Sequence, residues 1–293
     1  MSVEALFTAA DRVRLDRLAL RTRRTMRGEA VGERRSRRIG AGGEFADHRT
    51  YVPGDDLRYV DWNVYFRHGD LVVKRFEAIE TVDVLLLVDR SPSMEGHKAL
   101  AARRLAGAIG HVALRRRDTL AFGWIPALPA RPRMDVFRSG KRLDGLLEDL
   151  ASAPAGGITT HADDVERGVV AVRRRGPAYL VSDFYDPAGA TAGLSRLVHH
   201  GFETTAVHVV DVRDATLPVG ESVRAVDAET GEAIDVDVTS ALAEAVHGAW
   251  RRRVERLRAW CGAHEVTYVR LDADRPLWDA VQDLWRAGVL GDR

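Results

Sequence analysis

The sequence predicts an α/β protein with a doubly wound, mainly parallel sheet, and three observations predict it. The run Val82-Asp83-Val84-Leu85-Leu86-Leu87-Val88 is almost continuously apolar, the texture of a strand covered on both faces. Such runs alternate with helical periods: Leu105, Ala108, Ile109 and Val112 keep the i, i+3, i+4, i+7 spacing of one helix face. Two of the predicted strands end in an acid, Asp89 and Asp183, and ligands of open α/β sheets bind outside the carboxyl ends of the strands.

The elements follow in order. Residues from Ser2 to about Met26 are helix-like, with Leu6, Val13, Leu18 and Leu20 among charged neighbours, and the N-terminal stretch 1–39 is arginine-rich. From Gly40 to Glu77 the texture turns Gly-, Asp- and aromatic-rich, with a Pro-Gly turn at Val52-Pro53-Gly54 and another turn at His68-Gly69-Asp70. Leu71 to Glu77 reads as a strand. A region 40–78 packed on a main domain of residues 79–293 is the expected division. After the strand at 82–88 and its helix come a strand from Leu120 to Ile125, a short pairing strand from Arg133 to Phe137, and a helix from Asp144 to Leu150. Pro154-Ala155-Gly156-Gly157 breaks the chain before a helix marked by Val165, Val169 and Val172. Strands from Ala178 to Asp183 and from Thr204 to Val210 precede an antiparallel hairpin insertion at about 221–238. A long helix carrying Val246, Trp250, Val254, Leu257 and Cys261, a strand from Val266 to Leu271 and a closing helix from Arg275 to Ala287 complete the chain.

Composition narrows the function classes. At 45% hydrophobic and 30% charged, the 293 residues are those of a globular protein. The net charge of +1 balances 44 basic against 43 acidic residues and makes no case for nucleic acid or membrane surfaces. Arginines do cluster from Arg12 to Arg38, but aromatic residues for base stacking are missing there. A solvated face, or an arm docking on protein, is the plainer reading. The single cysteine, Cys261, excludes an internal disulfide and any cysteine-built metal cluster within one chain. No apolar run approaches the ~20 residues of a membrane span, and the N-terminus lacks a signal-peptide pattern. A cytoplasmic location is expected.

Three loops are expected to meet at the carboxyl edge of the sheet. The first carries Asp89, Ser91 and Ser93, the second is Gly156-Gly157-Ile158-Thr159-Thr160, and the third begins at Asp183. Together they offer only hard oxygen donors, which suit a divalent ion such as Mg²⁺, Mn²⁺ or Ca²⁺. Hydroxyls bring no charge, so the ion stays electrophilic and able to accept a carboxylate from another molecule. The competing reading is loop capping, because Asp and Ser both cap helix N-termini. The acids of the upstream region, Asp47, Asp55, Asp56 and Asp61, alternate with Arg49, Arg58 and Arg67, which reads as a salt-bridge and turn network. Trp62, Tyr65 and Phe66 read as core packing, and the scattered histidines, His161 included, lack metal-ligand spacing.

The pattern Asp89-x-Ser91-x-Ser93, the later Gly-Gly-x-Thr and the strand-end Asp183 resemble the metal-ion-dependent adhesion site (MIDAS) of von Willebrand factor A domains. That resemblance implies a von Willebrand A-like fold with Asp89, Ser91, Ser93, Thr159 and Asp183 as ligands. Thr159 is preferred because it leaves Val165-Glu166-Arg167-Gly168-Val169 in that family's helix register, and Thr160 stays open. Upstream, Gly43-Glu44-Phe45-Ala46-Asp47-His48-Arg49-Thr50-Tyr51-Val52-Pro53-Gly54-Asp55-Asp56-Leu57-Arg58-Tyr59-Val60-Asp61-Trp62 resembles the signature of the DUF58 family, whose members commonly accompany MoxR-type AAA+ ATPases. Arg90, bulky and charged within the first loop, stands out against the pattern.

A hydrolase is not expected. Ser91 stands where a phosphatase with Asp89 as nucleophile would want a second acid, and neither Ser91 nor Ser93 lies in a Gly-x-Ser-x-Gly elbow. A phosphate loop and a dinucleotide fingerprint are also missing. The resemblance implies a metal-dependent protein-interaction module, an adaptor or co-chaperone of a MoxR-type AAA+ ATPase. The alternative is a scaffold or nucleic-acid-binding protein acting through the arginine-rich N-terminus.

Overall fold

The structure, a computed structural model, describes residues 6–22, 44–77, 82–127, 134–138, 142–157, 161–228 and 230–292. They fall into two compact units, Met1–Thr25 with Val82–Arg293, and Met26–Thr81. In chain order, α1 (Ala9–Leu15) and β1 (Leu18–Leu20) open the larger unit, and β2 (Glu44–Thr50), α2 (Trp62–His68) and β3 (Val72–Glu77) form the smaller one. The larger unit continues with β4 (Asp83–Asp89), α3 (His97–Arg115), β5 (Thr119–Ile125), β6 (Asp135–Phe137), α4 (Leu143–Ser152) and α5 (His161–Ala171). It ends with β7 (Pro177–Ser182), α6 (Pro187–His199), β8 (Glu203–Val210), β9 (Ser222–Val226), β10 (Ala233–Asp237), α7 (Ser240–Ala263), β11 (Thr267–Asp272), α8 (Leu277–Arg286) and β12 (Leu290–Asp292).

The central sheet has six strands in the order β11-β8-β7-β4-β5-β6. All neighbours are parallel except β6, which runs antiparallel beside β5. This is the predicted doubly wound, Rossmann-like α/β architecture. Period-two alternation divides β4 between two cores. Val84, Leu86 and Val88 pack with residues of α3, α4 and α8, whereas Leu85 and Leu87 pack with residues of α5, α6 and α7. From β4 the chain crosses to β5 on one side, then returns to β7 on the other. Strand order therefore reverses between β4 and β7, and the carboxyl ends of strands at such a reversal are where open α/β sheets bind ligands.

The N-terminal segment departs from the long helix expected of it. Thr8 and Asp11 form a reciprocal capping box on α1, which is only seven residues long. Leu18–Leu20 then pairs antiparallel with Leu290–Asp292, and Leu6, Phe7, Leu15 and Leu20 sit in the first core. Three-residue strands are too short to show a period, so neither partner was readable as a strand. The arginines from Arg23 to Arg38 lie outside the described residues.

In the smaller unit β2 and β3 pair antiparallel, with a bulge between Phe45 and Asp47. Asp61 caps α2 through the Asn63 amide and also meets His48 Nε2 at 3.0 Å and Lys74 Nζ at 3.2 Å. Arg49 pairs with Asp55 at 2.7 Å and Arg58 with Asp56 at 2.6 Å, so Asp55, Asp56 and Asp61 are turn and pairing groups. Trp62, Tyr65 and Phe66 correct the core expectation. They are 46%, 38% and 81% exposed, stacked edge-to-face on a helix too short to bury them. The hairpin β9–β10 forms a separate two-stranded sheet.

Candidate metal centre

Asp89 is the last residue of β4, and burial of the strand leaves its carboxylate buried at the carboxyl edge of the sheet. Oδ1 accepts the Ser91 amide at 2.8 Å, and Oδ2 accepts the Ser182 hydroxyl. The chain then turns through Pro92–Met94, which sets Ser91 Oγ 3.1 Å from Ser93 Oγ. Ser93 Oγ donates to Asp183 Oδ1 at 3.4 Å, and that same oxygen accepts the Tyr185 amide at 3.2 Å. Between them Phe184 adopts a left-handed φ of 49° and donates its amide to Ser182 Oγ. Four of the five residues predicted from the sequence thus converge: Asp89, Ser91, Ser93 and Asp183. Thr159, and Thr160 with it, lies outside the described residues.

Arg90 belongs to the architecture. It is buried, and its guanidinium donates to the Pro126, Ala127 and Pro154 carbonyls at 2.8, 3.0 and 3.2 Å. Its own carbonyl accepts the Gly156 amide at 2.8 Å. The residue that looked out of place in the first loop therefore ties that loop to the second. Gly157 is required there, with φ at 93° and a Cβ that would stand 2.6 Å from Pro126 Cγ.

Three participants escaped the sequence reading. Ser182 lies one residue before Asp183, and a hydroxyl at the tip of an apolar strand was an available signal. Lys98 and Asp214 left none. Lys98, 6% exposed at the start of α3, donates at 2.8 Å to Asp183 Oδ2 and at 2.8 Å to Asp214 Oδ2.

The electrostatics follow from this crowding. Burial pushes the Asp89 carboxyl up to about 6, the neighbouring Asp183 charge adds to the rise, and hydrogen bonds from Ser182 and Ser91 oppose it. Burial would lower the Lys98 ammonium, but Asp183 and Asp214 outweigh it and hold it above its ordinary value. His208, behind Asp183, is pushed down to about 4 by burial and by the Arg253 charge, so it stays neutral.

The donor set fits a hard divalent cation. Asp183 and Asp214 share the Lys98 ammonium, and Asp89 adds a further carboxylate close to Asp183, beside two adjacent serine hydroxyls. Among the described residues no three His, Cys, Asp or Glu side chains converge on one point, so an ion here would also rest on hydroxyls and water.

The family model described as "Protein of unknown function DUF58" matches residues 47–256. Uncharacterized proteins of Mycobacterium tuberculosis (Rv1480) and Mycobacterium bovis (Mb1516) are 29% identical over 248 residues, covering 80% of this chain and 77% of theirs. Among solved structures, the conserved hypothetical protein BatB from Bacteroides thetaiotaomicron aligns at 13% identity and a TM-score of 0.39, over 71% of this chain and 98% of that one. An aerotolerance-related membrane protein from Bacteroides fragilis aligns at 11% identity and 0.40, over the same 71% and 98%. The expected cytoplasmic location is withdrawn as a correction, that last neighbour being itself named as a membrane protein. What stands is narrower: among the described residues no helix is long and apolar enough to cross a membrane.

Proposed function

The chain belongs to the DUF58 family, and from that premise, which brings no activity with it, we propose a metal-dependent protein-interaction module. One observation carries the reading. Asp89, Ser91, Ser93 and Asp183 meet at the switch point of a parallel sheet, where Asp89 adds a carboxylate close to the Asp183 that Lys98 holds. Asp89, Ser91, Ser93 and Asp183 would hold the ion, with Thr159 joining by resemblance to the adhesion sites of von Willebrand factor A domains. A bound Mg²⁺ or Mn²⁺ would supply a coordination position for an acidic side chain of another protein.

The chain's own residues do the rest. Ser182 and the Ser91 amide orient both oxygens of Asp89, Arg90 holds the first and second loops together, and Lys98 turns Asp183. Among the described residues, Ser91 Oγ meets Ser93 Oγ, and the one carboxylate that Ser93 Oγ meets is Asp183, already held by the Lys98 ammonium. The arrangement therefore favours docking over nucleophilic chemistry. The partner proposed is a MoxR-type AAA+ ATPase, on the family association alone, with this chain as its adaptor or co-chaperone.

Binding of a purified MoxR-type ATPase to the full chain tests the reading. Capture with Mg²⁺ that is lost in EDTA and in Asp89→Ala supports it. Equal capture under all three conditions refutes the metal bridge.

A further inference from the structure

Lys98 is an unfavourable residue for its position. It is the second residue of a 19-residue helix, where the helix dipole disfavours a cation, and it is almost fully buried. Neither helix formation nor packing asks for an ammonium there. What holds it is the pair of carboxylates, Asp183 at 2.8 Å and Asp214 at 2.8 Å, the first of them as buried as Lys98 itself. The Tyr185 ring lies 5.9 Å from Nζ, and the Arg253 guanidinium stacks 3.9 Å from the centre of the same ring.

The consequence lies in how Asp183 divides its oxygens. Oδ2 belongs to the ammonium, while Oδ1 faces Ser93 and the Tyr185 amide on the ion side. A cation built into the fold therefore already occupies half of one predicted ligand. Resting on the metal-centre reading above, we propose that Lys98 is an internal counter-ion that competes with the divalent ion for Asp183. It keeps the site's affinity low and keeps the fold intact when no ion is bound. An ion held weakly by its own protein keeps more of its charge for a carboxylate brought by a partner. Asp214 shares the ammonium and moderates the competition.

The test is Mn²⁺ binding to the full chain by electron paramagnetic resonance, together with thermal melting with and without Mg²⁺. Lys98→Met removes the competing charge and keeps the length of the side chain. It should bind Mn²⁺ at least about tenfold more tightly, because a unit charge within a few ångströms of a divalent ion is a large repulsion at protein dielectric values. Its melting temperature should fall without ions and recover with Mg²⁺ by more than the wild type gains. Lys98→Arg keeps the charge and should bind as the wild type does. Asp214→Asn gives Lys98 wholly to Asp183 and should bind Mn²⁺ more weakly.

Should Lys98→Met fail to fold even with Mg²⁺, Asp214→Asn decides: weaker binding supports the competition, and equal or tighter binding overturns it. Wild-type binding that depends on Asp89 but is unchanged or weakened in Lys98→Met overturns the role of Lys98 alone. Binding by Lys98→Met and none by the wild type supports it in its strongest form. No binding by either overturns the metal reading, and this proposal with it.

Discussion

Asp89 and Asp118 lie at opposite edges of the same sheet, and burial pushes both carboxyls up to about 6. Asp89 ends β4 at the carboxyl edge. Asp118 precedes β5 at the amino edge, where Oδ1 accepts the Val82 amide at 3.0 Å and Asp83 adds a like charge. Around Asp89 converge Ser91, Ser93, Ser182 and a second carboxylate, Asp183, whereas the hydrogen bond to Asp118 comes from backbone. A raised carboxyl value alone therefore does not distinguish a site from a cap, because desolvation acts equally on both. The distinction lies in which other groups face the same space, and the switch-point topology provides them at one edge only.

The largest expected effect breaks the pair apart. Asp89→Ala should abolish Mn²⁺ binding and the melting-temperature rise on adding Mg²⁺, a loss of at least about a hundredfold in affinity for a ligand that brings charge. Asp118→Ala should leave both intact and lower stability only. Titration calorimetry on the two variants checks this, and an ion response surviving in Asp89→Ala would show that the two acids are alike after all. The same site should release its ion as pH falls, because the ion requires ionised Asp89. Apparent affinity should decline from pH 7 through about 6, the value to which burial raises that carboxyl.

Next in size is Arg90→Met. It leaves the Pro126, Ala127 and Pro154 carbonyls without a charged donor and frees the second loop from the first. Hydrogen bonds to charged groups are worth about 1.5–3 kcal/mol each and do not add fully, so a loss of about 2–4 kcal/mol is expected in urea unfolding. Ion affinity should weaken as well, although Arg90 supplies no ligand. A variant that loses stability while binding Mn²⁺ as the wild type does would detach Arg90 from the site.

How far the sequence reveals this arrangement depends on the range of each signal. Strand β4, its acid and the two serines lie within eleven residues of one another, so period and spacing make them readable. Asp183 announces itself by the same pattern on a second strand. Lys98 offers nothing local: it follows Gly96-His97 at a helix start and looks solvated, yet its partners are 85 and 116 residues away. Only the meeting of α3 with the loops after β7 and β8 gives it meaning. Trp62, Tyr65 and Phe66 fail in the opposite way, since aromatic character predicts burial that a seven-residue helix does not deliver.

The smallest effect sharpens the comparison by acting on both acids alike. Asp118→Asn keeps the acceptor for the Val82 amide and removes the charge. The folded value of about 6 lies above the ordinary 3.8, so between those values the folded chain holds a proton that the unfolded chain has lost. Stability then falls as pH rises through that window, and the full penalty is present above about 6. The variant, which does not titrate, should be more stable than the wild type by about 1–3 kcal/mol at pH 7, at about 1.4 kcal/mol per pKa unit. The gain should shrink to nothing below about pH 4. Asp89→Asn in EDTA should follow the same course, since burial and Asp183 raise Asp89 in the same direction. Adding Mg²⁺ then separates them: the wild type and Asp118→Asn gain stability, and Asp89→Asn does not. Denaturant melts at pH 4 and pH 7, with and without Mg²⁺, read all of these differences, and a gain for Asp118→Asn that persists at pH 4 would assign its effect to something other than charge.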